Sequence, residues 1–179
     1  VVFSELNLSN AKAQGRVFDN QACEILVSAL KYNKFVTKLN LSNNDLTFES
    51  GYILHDLLIT NTRITELNLA HNAINDGSMQ IVDAVAKNSS IVSLNLNNNG
   101  CSSLSMDMLG LYLQLNREPF AFKKEVLKIM EKDITHSVAK VHLPELAWIE
   151  NRKAQLDDES MQLLTSMLRT DLVIRELDL

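Results

Sequence analysis

The side chains that could do chemistry are few, and they are scattered along the chain. The four histidines are His55, His71, His136 and His142. A zinc site needs three or four convergent ligands, and only His136 and His142 lie close together in the sequence. We therefore expect the histidines to be surface or partly packed residues, and we predict no metal site.

One acidic run and two cysteines complete this inventory. The run at residues 157–159 could bind a cation, but it precedes a predicted helix, where carboxylates favour the positive end of the helix dipole. Cys101 occupies the same repeat position as Ile74, which predicts a core residue rather than a nucleophile. Neither a glycine-rich phosphate loop nor a Gly-x-Ser-x-Gly elbow is present. We predict no cofactor and no enzymatic activity.

The composition is that of an ordinary soluble protein, with 46% hydrophobic and 22% charged residues. A formal net charge of -5 argues against general binding of nucleic acid or anionic membranes, since both require dense Lys and Arg. No apolar run approaches the roughly 18 residues of a membrane span. Two cysteines make no disulfide framework, so we expect an intracellular, cytoplasmic protein.

The elements that position these residues repeat every 27 or 28 residues over most of the chain. Four similar segments set the pattern: Leu6-Asn7-Leu8-Ser9, Leu39-Asn40-Leu41-Ser42, Leu67-Asn68-Leu69-Ala70 and Leu94-Asn95-Leu96-Asn97. An asparagine also lies six residues before the strand leucine in successive units: Asn33, Asn61, Asn88 and Asn116. The fourth asparagine predicts another strand around Phe122.

The pattern returns near the C-terminal end, where residues 156–164 mirror residues 74–82. The same offset places strands at Ile149 and Leu177. The predicted strand anchors are then Leu6, Leu39, Leu67, Leu94, Phe122, Ile149 and Leu177. Only the first spacing, of 33 residues, is unusual, and we place its roughly five extra residues within residues 11–19.

Each unit has a simple mechanical reading. Alternating leucines predict a short strand, and apolar residues at helical spacing, such as Ile81, Val82 and Val85, predict a helix after it. Parallel strand–helix–strand crossovers stack such units, because each one buries its apolar face only against its neighbours. The sequence therefore predicts an α/β solenoid, treated as a single domain over residues 1–179.

The unit around residues 67–91 resembles the ribonuclease-inhibitor-type leucine-rich repeat. The matching positions are Leu67, Asn68, Leu69, Asn72, Ile74, Asp76, Gly77, Ile81, Ala86, Asn88 and Ile91. The resemblance implies a horseshoe of about six repeats, with a curved parallel sheet on the concave face and helices on the convex face. It also implies that Asn44, Asn72 and Asn99 hydrogen-bond backbone groups at each turn. Members of this family share an architecture rather than a partner.

The match weakens over residues 117–153, which we interpret as degenerate repeats. The turn asparagine is replaced by Ala11 in the first unit, and by Leu127 and Ala154 in the later ones. Residues 123–130 offer an alternative, because they could form one amphipathic helix in place of a strand.

Alternation along each strand names the residues of the concave face. One predicted column is Asn7, Asn40, Asn68, Asn95, Lys123, Glu150 and Asp178, and the column beside it is Glu5, Lys38, Glu66, Ser93, Ala121, Trp148 and Glu176. The C-terminal part of this face is acidic and aromatic, which favours a basic or Arg-bearing partner.

The predicted partner-binding residues are Asn40, Glu66, Asn68, Asn95, Lys123, Trp148, Glu150, Glu176 and Asp178. Trp148 is the only tryptophan, and on an exposed face it would be an anchor of the kind enriched at interface centres. The alternative is that Trp148 packs in the core. The asparagines have their own alternative, which is that they are merely well solvated.

These observations favour a protein-binding scaffold. Two alternatives follow from the resemblance: a GTPase regulator similar to the Ran GTPase-activating protein, or a tropomodulin-like cytoskeletal cap. Because the sequence ends within the predicted strand at Leu177, we also expect either a longer chain or a contact that covers this end, with self-association as one possibility.

Overall fold

The computed structural model describes residues 4–135, 141–142 and 177–178, with side chains described for residues 4–124 and 126–128. The chain divides into two compact units, Val1–Arg117 and Glu118–Leu179. The first unit is a mixed α/β structure built on a parallel sheet. The second contains a helix and a short parallel strand pair.

Strands and helices alternate regularly through the first unit. Their order is β1 (Glu5–Asn7), α1 (Asn20–Leu30), β2 (Lys38–Asn40), α2 (Phe48–Thr60), β3 (Glu66–Asn68), α3 (Ser78–Lys87), β4 (Ser93–Asn95) and α4 (Ser103–Leu115). The four strands pair in sequence order and run parallel. This order confirms the strand–helix units predicted for the first four anchors.

The strand leucines lie in one row across the sheet. Leu6, Leu39, Leu67 and Leu94 are paired in register, and the last three are buried. Helix α3 buries Ile81, Val82 and Val85, which are spaced to lie on one face of the helix. The core of this unit therefore lies between the leucine row and the apolar helix faces.

Interior asparagines join successive turns. The Asn72 side chain donates to the backbone oxygens of Leu41 and Leu69, both within 3.0 Å, and accepts from the Asn44 and Leu46 amides. Asn99 repeats this arrangement by donating to Leu69 and Leu96. The turn asparagines therefore bond backbone groups as expected.

The extra residues of the first unit form a single turn of 3-10 helix, Ala11–Gln14, closed by Gly15 at a φ of 68°. The Ala11 amide donates to the side chain of Asn44 at 3.1 Å. The backbone of this turn is therefore bonded to the interior asparagine of the next repeat. The insertion predicted within residues 11–19 is confirmed. It is absorbed locally, because β1 still pairs in register with β2.

The second unit departs from the prediction. A helix, α5, covers Phe120–Thr135, so the strand predicted at Phe122 is wrong and the alternative of a helix in this segment is confirmed. Asn116 keeps its place in the repeat by donating to the Ile91 carbonyl at 2.7 Å. Pro119 explains why a helix replaces the predicted strand. Proline has no amide hydrogen to donate to a neighbouring strand, and its fixed φ suits the start of a helix.

Two short strands complete the described part of the second unit. β5 (Val141–His142) and β6 (Leu177–Asp178) pair in parallel. The strand predicted at Leu177 is confirmed, whereas β5 lies at a position that the repeat spacing did not predict. The strand predicted at Ile149 falls outside the described residues.

Burial of Cys23 should make the protein sensitive to alkaline pH. Burial raises the pKa of this thiol from its ordinary value near 9 to about 12. Between these values the unfolded thiol ionises while the native thiol stays protonated, so the stability present below pH 9 is progressively lost as the pH rises. At about 1.36 kcal/mol per pH unit, we expect this group to remove roughly 2 kcal/mol by about pH 10.5.

Urea unfolding of wild type and Cys23→Ala at about pH 8 and pH 10.5 measures this loss. The variant should lose roughly 2 kcal/mol less between the two conditions. Identical losses in the two proteins would show that the thiol does not contribute.

Candidate partner-binding site

The side of the sheet opposite the leucine row is polar, and we call it the open face. It consists of Glu5, Asn7, Lys38, Asn40, Glu66, Asn68, Ser93 and Asn95. Each of these side chains is exposed or half-buried, whereas the leucines between them point into the unit. The two columns predicted for the first four strands are confirmed as continuous rows in register.

Asn7, Asn40, Asn68 and Asn95, which we call the asparagine row, stabilise the turns that follow the strands. Each side-chain oxygen accepts a hydrogen bond from the backbone amide two residues later, at 3.0–3.1 Å, as in Asn40 with Ser42 and Asn95 with Asn97. The hydroxyl groups of Ser9 and Ser42 add bonds of 2.8 Å to the same oxygens. These turns bring each strand to its end and fix the orientation of the asparagine amide groups.

The same geometry leaves donors on the surface. Within the described part of the chain, the side-chain nitrogens of the row donate no hydrogen bond to protein; the residues are Asn7, Asn40, Asn68 and Asn95. Neighbouring strands lie about 4.8 Å apart, so the row presents four amide groups over roughly 15 Å. Such groups can donate to carbonyl or carboxylate oxygens.

The neighbouring row carries the charges of the open face. Lys38 lies 2.8 Å from the Glu66 carboxylate, and this hydrogen bond, together with the charge of Glu66, raises the pKa of Lys38. Glu5 lies beside Lys38 in register and contributes a smaller effect in the same direction. Ser93 ends the row without charge, so the row carries two carboxylates and one ammonium group.

The other predicted binding residues all belong to the second unit, Glu118–Leu179. Lys123 lies in α5 rather than in a strand, and it is buried, which lowers its pKa to about 8; its predicted place in the concave column is wrong. Asp178 lies in β6. Trp148, Glu150 and Glu176 fall outside the described residues.

The remaining candidates for chemistry stay dispersed. Among described side chains, no group of three or more His, Cys, Asp and Glu is arranged to hold a metal ion. His55 lies 2.9 Å from Asp83 on the helical side, and His71 contacts Asn98 at the edge of the sheet. Cys101 is half-buried, in contrast to the fully buried Ile74, so the prediction of a core position was too strong.

Sequence reasoning missed one feature at the edge of the open face. The residue four positions after each strand leucine adopts a left-handed conformation; these residues are Asn10, Asn43, His71 and Asn98, with φ between 55° and 63°. Asparagine tolerates this region better than most residues, so its recurrence at this position was the available signal.

In the described part of the chain, no helix is long and apolar enough to cross a membrane.

Comparison with known proteins gives a likeness of fold. No family model matches the chain, and no curated protein matches it. The solved structure of leiomodin-1 actin-binding site 2 is similar, with a TM-score of 0.53 and 20% sequence identity, covering 85% of this chain and 89% of that chain.

A tropomodulin C-terminal domain from Caenorhabditis elegans also matches, with 15% identity and a TM-score of 0.43, covering 72% of this chain and 90% of that chain. That score is too low to carry an argument. At 20% identity, the first likeness supports a leucine-rich-repeat-like fold and does not by itself identify a partner.

Proposed function

We propose that this chain is a protein-binding module that acts through the open face rather than an enzyme. We further propose that its repeats form a solenoid of the ribonuclease-inhibitor type and that it works inside the cell. The observation that supports the binding role is the asparagine row, whose oxygens are fixed in turns and whose nitrogens remain as outward donors.

Several features make this row suited to binding. The donors sit on paired strands, and their side chains are already held by the turns, so little conformational entropy is lost when a partner binds. A hydrogen bond made in exchange for water contributes about 0.5–1.5 kcal/mol, so four bonds supply specificity and part of the affinity. The Lys38–Glu66 pair beside them favours a partner of mixed charge.

Affinity capture from cell lysate with mass spectrometry can test this proposal with two variants. Ser93→Arg places a bulky side chain on the open face at an exposed position. Asn40→Asp/Asn68→Asp keeps the oxygens that accept from Ser42 and Ala70 but removes the outward donors. We expect each variant to lose the captured partner while keeping the wild-type helical signal and melting temperature.

The matched control is Ser28→Arg, the same change at an exposed position on α1, on the helical side of the unit. It should retain the partner. If all three proteins capture the same partner as wild type, the open face is not the binding surface. If only Ser28→Arg loses the partner, the binding surface is on the helical side of the unit.

A cytoskeletal role is the second candidate, supported by the likeness of fold to leiomodin-1 actin-binding site 2. The test is assembly of pyrene-labelled actin with and without the chain. A change in the rate of elongation or of filament disassembly that Ser93→Arg abolishes would place actin on the open face. Unchanged assembly over a wide range of chain concentrations would exclude this candidate.

A further inference from the structure

One edge of the first unit has a charge opposite to that of the whole chain. This edge, which we call the basic edge, consists of the segments at the C-terminal ends of helices α1 to α4, at residues 31–37, 60–65, 87–92 and 115–117. The first three lead to the next strand, and the fourth leads to helix α5. They contain five basic residues, Lys31, Lys34, Arg63, Lys87 and Arg117, and no Asp or Glu, while Glu118 directly follows the fourth segment. The chain as a whole carries a net charge of -5, so this distribution is strongly uneven.

Two of these charges are already neutralised by acidic partners. Lys31 lies 3.0 Å from Asp56, and Lys87 lies 2.7 Å from Asp83. Both lysines sit near helix ends, where a positive charge also complements the helix dipole. These pairs account for part of the basic edge as ordinary helix stabilisation.

Two of the other three charges are held in place by backbone groups instead. Arg63 donates through Nε to the Lys34 carbonyl at 3.2 Å, and Arg117 donates through Nη2 to the Val92 carbonyl at 3.2 Å. Carbonyl oxygens are neutral, so these contacts fix the guanidinium groups without cancelling their charge. Among described residues, Lys34, Arg63 and Arg117 form no salt bridge.

Exposed aromatic side chains lie beside these cations. Tyr32 and Phe35 are 78% and 58% exposed, so each offers an aromatic ring to a partner. The turn itself is fixed by Asn33, whose side-chain oxygen accepts from the amides of Phe35 and Val36 at 2.8 Å. Arg63 occupies in the next turn the position that Phe35 has in its own, and the Arg63–Lys34 bond joins the two turns.

We propose that the basic edge binds an acidic peptide segment that carries an aromatic or large aliphatic residue. Lys34 and Arg63 would bind its carboxylates, and the apolar residue would pack on Tyr32 and Phe35. Charge complementarity supports this occupant, because Lys34 and Arg63 form no salt bridge among the described residues and lie in turns without Asp or Glu, next to exposed apolar surface. This surface is distinct from the open face, so the two proposals stand or fall separately.

Fluorescence anisotropy with the full chain tests the proposal. The probe is a fluorescein-labelled peptide of about twelve residues, mostly Glu and Asp, with one central phenylalanine. We expect binding that weakens with added salt, a loss in affinity of at least about tenfold for Lys34→Glu/Arg63→Glu, and of about threefold or more for Phe35→Ser. Replacing the phenylalanine of the peptide with alanine should cost about as much as Phe35→Ser.

The control for charge is Lys12→Glu/Arg16→Glu, which changes the net charge equally but acts on exposed residues of the opposite edge. Its affinity should stay within about twofold of wild type. Equal losses in both double variants, or equal binding of the peptide without phenylalanine, would show nonspecific attraction of anions and overturn the proposal. Absence of binding by folded wild type at millimolar peptide would overturn it as well.

Discussion

Replacing Asn61 with alanine should lower the free energy of unfolding by roughly 4 kcal/mol, because three backbone groups would lose their hydrogen-bond partner. The Asn61 side chain is 3% exposed and joins two successive turns. Its oxygen accepts from the amides of Arg63 and Ile64 at 2.8 and 2.9 Å, and its nitrogen donates to the carbonyls of Leu30 and Asn33 at 2.7 and 3.2 Å. The Leu30 carbonyl keeps another donor, the Asn33 amide.

The matched control is Asn95→Ala on the open face. That side chain is exposed, and it accepts from a single amide, that of Asn97. Water can replace this bond, so we expect a cost below about 1 kcal/mol. Urea unfolding followed by circular dichroism measures both variants. Similar small costs for the two would mean that the buried asparagine does not tie the turns together.

The structure of the first unit could be predicted from the sequence because each repeat supports the strand register assigned to the others. Four leucine pairs, the last three spaced by 27 or 28 residues, leave one register for the strands, and a slip by one residue would turn every leucine towards solvent. The interior asparagines follow from the same offset. The role of Asn61 did not follow, because the spacing locates the residue without showing which backbone groups it reaches.

Prediction failed where the offset was the only guide. Asn116 preserves the repeat mark, yet Pro119 follows it and a helix begins at Phe120. The apolar alternation around Phe122 is compatible with either structure, and a three-residue pattern cannot outweigh the effect of proline on the backbone. For the same reason Lys123 was assigned to an exposed strand position, whereas it is buried in helix α5.

The candidate site divides in the same way. The alternation of each strand was sufficient to name the open-face columns of the first unit. It could not show that each asparagine oxygen is engaged in a turn while the nitrogen stays outward, because that depends on the path of the chain after the strand. The basic edge also needed the structure, since its residues are far apart in the sequence.

Replacing Gly51 with alanine should destabilise the protein by about 2–3 kcal/mol, although alanine is the better helix former. Gly51 lies in α2, where a Cβ atom would come 2.7 Å from the carbonyl carbon of Gly77 and closer still to its oxygen. Both atoms belong to backbone, so neither can rotate away as a side chain would. The cost should therefore exceed the roughly 1 kcal/mol that alanine gains in an isolated helix.

Gly110→Ala provides the opposite case within the same chain. Gly110 lies in α4, and a Cβ atom there would meet nothing within 4 Å. Helix propensity then acts alone, so this variant should be more stable than wild type by about 0.5–1 kcal/mol. Opposite shifts in urea midpoint for the two variants would establish that close contact between neighbouring repeats requires the glycine in α2. Stabilisation by both substitutions would mean that the backbones of α2 and Gly77 can separate at little cost.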